Sequence, residues 1–314
     1  MSASSCHRLA ENAFISESSG NPLGDLFHSA SFFRLHAGDA GRFFEWSDGR
    51  HVTASVHFTP LGDGTWRSPA RGTYGGYAFR ADLSAPELME FHDAVEARLR
   101  ELGARRLEVL PAPMLHDTAA WSLQTYVLQA RGFATSRCDL NQSQRVEGDA
   151  MATSRGNRRC LEKARQEGYV CDVLEPSALP AAYATIAANR AAKGYPVSMT
   201  LAQLEQMQQS FPGAMQLFGC RHRDSAELVA SAICLRLSPS TLYVFYWGDL
   251  PGYARVSPVV MVAEKIHAHC REHGIGLLDV GTSTEGATPN AGLLRFKQGL
   301  GFEAGLKVRM EKQL

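Results

Sequence analysis

The stretch RFKQGLGF, residues 295 to 302, sets Lys297 among apolar residues in a chain that has only six lysines. An ammonium held there can stabilise a developing oxyanion or grip a donor phosphate. Upstream, Asp279 interrupts the apolar run GLLDVG. Ligands of open α/β sheets gather beyond the C-terminal ends of strands, so this carboxylate can orient or deprotonate an amine. Capping of the following loop is its structural alternative. Lys297 and Asp279 are the candidate catalytic residues. Glu285, on the Gly-rich GTSTEGATPN, is a lesser acid candidate.

Other side chains suggest binding. Arg255 lies just ahead of a helix start at Ser257-Pro258, where a guanidinium can take a phosphate bidentately or simply face solvent. With Val256, Ser257 and Val259 it forms a candidate phosphate-binding segment. The run Tyr243, Phe245, Tyr246, Trp247 alternates along a strand, so part of it faces a core and part a cleft. Tyr246, Trp247 and, in SPARGTYGGYAF, Tyr74 are candidate binding residues. Arg155, Arg158, Arg159, Lys163 and Arg165 can track an RNA backbone, although Glu162 and Glu167 interleave them as on a solvated helix face. His269 and His273 are spaced as metal ligands can be. The apolar face of their helix is set by 259, 262, 263, 266 and 270, which places Cys270 in the core and the histidines outside, so no metal is expected. There is no G-x-S-x-G nucleophile elbow.

The elements that must position these residues come in two copies. The first half has a strand at 52 to 58, a helix over 85 to 102 with apolar residues at 88, 91, 95, 99 and 102, a short strand RRLEVLP, a second helix and ARGF. The second half has a strand at 169 to 175, two helices, strands at 215 to 221, 228 to 237 and 241 to 248, the helix VVMVAEKIHAHCREHG, the strand GLLDVG, the helix NAGLLRFKQGL and a last strand. Gly103 and Gly274 are 171 apart, as are Val109 and Val280, and Gly132 and Gly301 are 169 apart. This is a duplicated α/β unit. Hairpin-linked strands followed by a helical crossover imply a mixed sheet, antiparallel early and parallel where the helix returns the chain. The expected division is an N-terminal arm (1 to 24), a first unit (25 to 148) and a second unit (149 to 314).

Composition sets the limits. The chain of 314 residues is 45% hydrophobic and 20% charged, an ordinary globular balance with room for two cores. No run is long and apolar enough for a membrane span, and the polar N-terminus lacks the apolar segment of a secretory signal. Seven cysteines without a C-x-x-C pair indicate a reducing, cytoplasmic setting. Net charge is zero, against nucleic-acid binding over the whole surface. Residues 1 to 149 hold 14 Arg and no Lys against 18 Asp plus Glu, so the second half, with the excess of basic residues, is the better home for an anionic ligand.

The order β, α, α, β, β, β, α, β, α, β, with RRCLEKARQEGY, YVFYWGDLPGYARVSPVVMVAEKI, LLDVG and LRFKQGLGF in sequence, resembles the GNAT N-acyltransferases, and the duplication resembles their Fem-type branch. The resemblance runs from about residue 25 onward. It implies two tandem GNAT-like units, the second holding the donor along Arg255, Val256, Ser257 and Val259, the first shaping the acceptor groove, with Tyr246, Trp247 and Tyr74 toward the acceptor and Asp279 and Lys297 serving attack of an amine on an activated acyl carbonyl. Fem-type enzymes include aminoacyl-tRNA-dependent transferases of peptidoglycan synthesis. The acceptor implied is thus an amine of a small molecule, amino sugar or peptidoglycan-precursor-like peptide. CoA-using GNAT enzymes have Arg or Gln, two residues, Gly, one residue, then Gly or Ala after the fourth strand, a cradle for pyrophosphate. This chain has Arg255-Val256-Ser257-Pro258-Val259-Val260, without glycine and with a proline that lacks an N–H. Zero net charge and the lack of a long coiled-coil insertion favour acyl-CoA, such as acetyl-CoA, as donor. The missing glycines favour aminoacyl-tRNA. A ligand-binding module without chemistry is the remaining alternative.

Overall fold

The computed structural model describes residues 7–12, 23–148, 150–286 and 288–314. The chain divides into two compact units, Met1–Leu140 with Thr284–Thr288 and Gly305–Leu314, and Asn141–Ser283 with Pro289–Ala304.

Unit 1 contains β1 Arg8–Asn12, α1 Ala30–Ala37, β2 Arg42–Ser47, β3 Val52–Pro60, β4 Thr65–Ser68, β5 Ala78–Phe79, α2 Ala85–Glu101, β6 Arg106–Val109, α3 Thr118–Ala130 and most of β7 Ala134–Arg145. Strands β1 to β4 form an antiparallel ladder, and β4 then pairs parallel with β6. Helix α2 opens with a Ser84–Glu87 capping box, which satisfies two otherwise orphaned N–H groups. Its stripe Leu88, Phe91, Val95 and Leu99 is buried, as the spacing predicts, while Leu102 is only half-buried. Each such side chain contributes about 1.5–3 kcal/mol on burial.

Unit 2 contains α4 Arg155–Gln166, β8 Tyr169–Leu174, α5 Leu179–Ala192, α6 Leu201–Ser210, β9 Met215–His222, β10 Leu228–Ser238, β11 Thr241–Asp249, α7 Pro258–Glu272 and β12 Leu277–Thr282. The short strands β13 Thr284–Glu285 and β14 Thr288–Pro289 follow, then α8 Ala291–Gln298 and β15 Glu303–Gln313. Strands β8 to β11 pair antiparallel in order, and β11 pairs parallel with β12 after the α7 crossover. The mixed sheet of the sequence reading is therefore present. One face carries Val244, Val260, Ile266, Leu278 and Phe302, and the other packs Ile233 and Tyr246 against Leu179, Ile186 and Leu204.

The repeat is visible in the backbone. Gly103 and Gly274 end α2 and α7 with φ of 84° and 64°, and Gly132 and Gly301 follow α3 and α8 with φ of 86° and 84°. Left-handed φ is costly for other residues, so glycine recurs at each helix stop. Phe133 and Phe302, next in each copy, are both buried.

The division differs from the expected 25 to 148 and 149 to 314. The last ten residues belong to unit 1, where Met310 stands opposite Val109 on β6 and Val308 and Met310 fill the core around Phe91 and Leu107. The end of β7 belongs to unit 2, where Ser143 stands opposite Asp279 on β12. Each copy is closed by the final strand of the other, because the apolar residues of β15 match the core beside β6. The expected arm also contains structure: Arg8–Asn12 pairs with β2, whereas residues 1–6 and 13–22 lie outside the described residues. Among the described residues no helix is long and apolar enough to cross a membrane.

Candidate functional site

Strands β11 and β12 pair over only three residues, ending at Tyr243 opposite Asp279. Beyond that point β11 continues to Asp249 and β12 to Thr282, without further pairs between them. The parting is local to Gly281, whose φ is 73° and where an added Cβ would lie 3.3 Å from the Tyr243 Oη. Glycine is needed there both for its conformation and for the close approach of the phenol.

Lys297, on the last turn of α8, fills the site so created. Its Nζ donates to the carbonyls of Gly281 and Thr282, both at 2.9 Å, and the side chain is only 2% exposed. Burial pushes its pKa down to about 7, opposed by the negative charge of Asp279 and assisted by the positive charge of Arg190. Asp279 is also buried. Its carboxylate accepts from Asn141 Nδ2 at 3.0 and 3.1 Å and from the Gly281 N–H at 2.6 Å. These donors fix the carboxylate, and with it the turn that presents the two carbonyls to Lys297. The two residues singled out in the sequence thus share one buried charge cluster.

The aromatic run does not alternate simply. Ile233 stands opposite Tyr246 and Cys234 opposite Val244, so Phe245 is the extra residue of a β-bulge. The bulge puts Phe245 and Tyr246 in contact, with centroids 4.4 Å apart, on the face of α5 and α6. The Tyr246 hydroxyl is paired with that of Ser198, and the neighbouring Met199 carbonyl accepts from Tyr183 at 3.2 Å. Trp247 turns to the opposite face against Phe296 and Phe302, at 5.7 and 6.4 Å. Of the two expected acceptor contacts, Tyr246 alone is on the α5 face.

The expected donor segment is occupied by its own backbone. The N–H groups of Val256 and Ser257 both donate to the Tyr253 carbonyl, and that of Val260 donates to the Ser257 carbonyl. Ser257 adopts φ 43° and ψ 65°, and Val256 and Val259 are buried. Arg255 is exposed and ion-paired with Glu167 at 2.6 Å. Three N–H groups of the segment are therefore committed to its own carbonyls and Pro258 has none to offer, so the segment fits a CoA pyrophosphate poorly.

The other candidates are dispersed. Tyr74 is in unit 1, 1% exposed, with its hydroxyl on Asp25, so it is a core residue rather than an open acceptor wall. Glu285 is exposed, also in unit 1. Arg155, Arg158 and Arg159 are exposed on α4, and Arg165 pairs with Glu264 at 2.5 Å. His267 and His269 were expected at the surface and are buried instead, because α7 is covered on nearly all sides. A groove of about 920 Å³ between α4, β8 and α7 is lined by Met151, Leu161, Tyr169, Met261 and His267, and includes neither Lys297 nor Asp279.

Sequence reasoning missed Asn141, whose amide holds Asp279, and Gln142, whose Oε1 accepts from Ser283 at 2.6 Å. A run of polar residues in a strand-length segment, DLNQSQR, was the available signal.

Residues 149–298 match the family model described as an acetyltransferase (GNAT) domain. Among solved structures the chain is similar to FemX, at 13% identity over 93% of each chain with a TM-score of 0.70. It is also similar to L-PGS from Bacillus licheniformis, at 13% identity over 87% of this chain and 84% of that one, TM-score 0.56. A tandem GNAT protein from the clavulanic acid biosynthesis pathway matches at 14% identity over 87% and 83%, TM-score 0.50. No curated protein sequence matches the chain. The likenesses show a tandem GNAT fold shared with FemX, within which residues 149–298 carry the match to the acetyltransferase (GNAT) domain.

Proposed function

We propose that the protein transfers an acyl or aminoacyl group to the amine of a small molecule, amino sugar or peptide, at a centre built on Lys297 in unit 2. The observation that carries this reading is the correspondence of Leu128 and Lys297. They hold the same place in the two copies, ahead of Gly132-Phe133 and Gly301-Phe302, and are 0% and 2% exposed. Leucine serves the fold at that place. A buried ammonium there costs several kcal/mol of lost hydration, which supports a chemical role for the cation.

Two of the three Lys297 N–H donors go to Gly281 and Thr282, and the third serves the carbonyl oxygen of the bound acyl group. The acceptor nitrogen attacks the acyl carbon, the oxyanion is met by that N–H, and collapse expels the donor oxygen or sulfur, which leaves with the proton lost by the amine. Asp279 is a positioning residue and countercharge, with its oxygens engaged by Asn141 and Gly281.

Of the two donors, the Tyr253–Val260 turn favours an aminoacyl ester of tRNA over a CoA thioester, since its N–H groups are already bonded. The likeness to FemX supports the same choice at the level of fold. The test is transfer of labelled acyl groups to an amine mixture from aminoacyl-tRNA and, separately, from acetyl-CoA and longer acyl-CoAs, with thermal shifts for each donor. Transfer from tRNA is expected. Transfer and stabilisation with CoA thioesters alone reject the tRNA donor, and no response to any donor favours a binding module.

A further inference from the structure

The turn ahead of α1 is held to the rest of unit 1 by a buried cluster of titratable side chains. Asp25 caps the 3-10 turn Leu26–His28, its Oδ1 accepting from the Phe27 N–H at 3.0 Å. The same oxygen lies 2.9 Å from His28 Nδ1, and Oδ2 accepts from the Tyr74 hydroxyl. The Asp25 N–H, 3.4 Å from Nδ1, is the more distant neighbour. His28 Nε2 lies 3.1 Å from the Gly75 carbonyl. Both ring nitrogens thus face oxygens that accept, so each carries a hydrogen and the ring is an imidazolium paired with the Asp25 carboxylate. On β3, His57 Nε2 donates to the Phe27 carbonyl at 3.0 Å, while its Nδ1 is buried without a hydrogen-bond partner. Phe33 of α1 and Phe43 of β2 pack on this ring at 5.3 and 6.0 Å. Burial pushes the His57 pKa down to about 4, so the ring is neutral.

These contacts fasten one segment. Gly24 and Gly38, with φ of 76° and 61°, bound residues 25–37, and glycine lets the backbone turn there without strain. Between them Phe27 meets Tyr74 edge-on at 4.9 Å, and Phe32 packs on Phe27 at 5.0 Å. An added Cβ at Gly72 would sit 3.1 and 3.2 Å from the rings of Phe32 and Phe27. The segment therefore lies directly on the Gly-rich stretch 72 to 76 and covers Tyr74, which is buried. The other titratable groups around the pair are His116, edge-on to Tyr74 at 5.2 Å, and His36, edge-on to Phe32 at 4.5 Å with the charge of Arg71 acting on it.

We propose that residues 25–37 form a latch over Tyr74, shut while His28 is protonated and His57 is neutral, and released on either side of neutral pH. His28 sets the alkaline side. Burial alone would depress its pKa, but the Asp25 carboxylate outweighs burial and raises it. Above the ordinary histidine value of about 6.5 the shut form therefore binds more protons than the released form, and release increases by up to about tenfold per pH unit until the raised pKa is passed. His57 sets the acid side. Its pKa of about 4 when shut is below the value of about 6.5 for an exposed ring, so release also increases as pH falls from about 6.5. Burial and then Arg71 lower the His36 pKa, which acts in the same sense. Although burial works against it, His28 and Tyr74 hold the Asp25 carboxyl below its ordinary value, so it stays ionised throughout. The latch is tightest near neutrality, and it is independent of the transfer chemistry at Lys297.

Hydrogen exchange of the full chain from pH 5 to pH 9, corrected for intrinsic rates, tests the latch, with α2 of the same unit as the reference. Protection of residues 25–37 relative to α2 is expected to peak at about pH 6.5, with residues 72–76 following. It is expected to fall at least about threefold by pH 9 and at least about tenfold by pH 5. His28→Gln is expected to show lower protection at neutrality and no alkaline fall, with the acid fall kept. His57→Gln keeps a donor for the Phe27 carbonyl and is expected to lose most of the acid fall while keeping the alkaline one. A flat wild-type profile, an alkaline fall that survives in His28→Gln, or an equal loss of protection in α2 overturns the proposal. If His28→Gln fails to fold, the wild type and His57→Gln decide. An alkaline fall confined to residues 25–37 and 72–76 in both then supports the latch, and its absence from either overturns it.

Discussion

The ammonium of Lys297, at the end of α8, donates to the carbonyl of Gly281, at the end of β12, across 2.9 Å. That bond ties the helix to the turn at which β12 leaves β11. It depends in turn on Asp279, whose carboxylate takes the Gly281 N–H and so sets the direction of the peptide. Geometry and charge at this point cannot be altered independently.

Lys297→Met keeps most of the side-chain volume and removes the charge. Transfer is expected to fall by about 100-fold or more, as when a single oxyanion donor is removed, with circular dichroism unchanged. Leu128→Ala, at the matching place in unit 1, is expected to lower unfolding stability by about 2–5 kcal/mol through loss of core packing. Full activity of Lys297→Met in single-turnover transfer would assign this lysine to structure.

The low proton affinity of Lys297 has a consequence for stability. Its folded pKa of about 7 lies below the value of about 10.4 for an unfolded lysine. Between these values the unfolded chain binds more protons, so stability rises with pH from about 7 to about 10. Below about 7 the full cost of the buried charge is present. The unfolding free energy of the wild type minus that of Lys297→Met is therefore expected to increase over this window, by an amount on the order of 4 kcal/mol. Urea titrations of both proteins at pH 6, 8 and 10 measure it. A flat difference would show that burial does not penalise the ammonium.

Asp279→Asn removes the countercharge and places an amide against the Asn141 amide and the Gly281 N–H. Loss of charge-assisted hydrogen bonds at a buried site costs about 1.5–3 kcal/mol each, so a clear drop in stability is expected. Because Asp279 raises the Lys297 pKa, the pH-dependent rise in stability is expected to begin at lower pH in this variant. An unchanged midpoint in the same urea series would contradict the coupling of the two residues.

Truncation after Ala304 separates the two units in their response. Removing residues 305 to 314 takes Val308 and Met310 from the core beside β6. Hydrogen exchange is expected to show lost protection in α2 and β6 and retained protection in α7. Loss confined to α7 would mean that the last strand supports unit 2.

Much of this architecture was legible in the chain, for reasons that are local. The 3.6-residue period of Leu88, Phe91, Val95 and Leu99 and glycine at 103, 132, 274 and 301 each record a constraint within a few residues. The absence of glycine from 255 to 260 was likewise visible, and the backbone bonds of Val256, Ser257 and Val260 give it a structural meaning. The histidines of α7 were misplaced because period describes one apolar face and not what covers the remaining faces.

The sequence by itself determined the elements, their duplication and the anomaly of a lysine where its copy has a leucine, since periodicity, turn chemistry and repeat offsets are properties of neighbouring residues. Only the tertiary structure decided which final strand closes which unit, where the β11 bulge turns Tyr246 and Trp247 to opposite faces, and that Asn141, Asp279, Gly281 and Lys297 form one charge cluster. Those outcomes depend on strand pairing and on hydrogen bonds between separated residues, from Gly281 and Lys297, 16 positions apart, to Asn141 and Asp279, 138 apart, where desolvation and hydrogen-bond satisfaction, and not local propensity, set the arrangement.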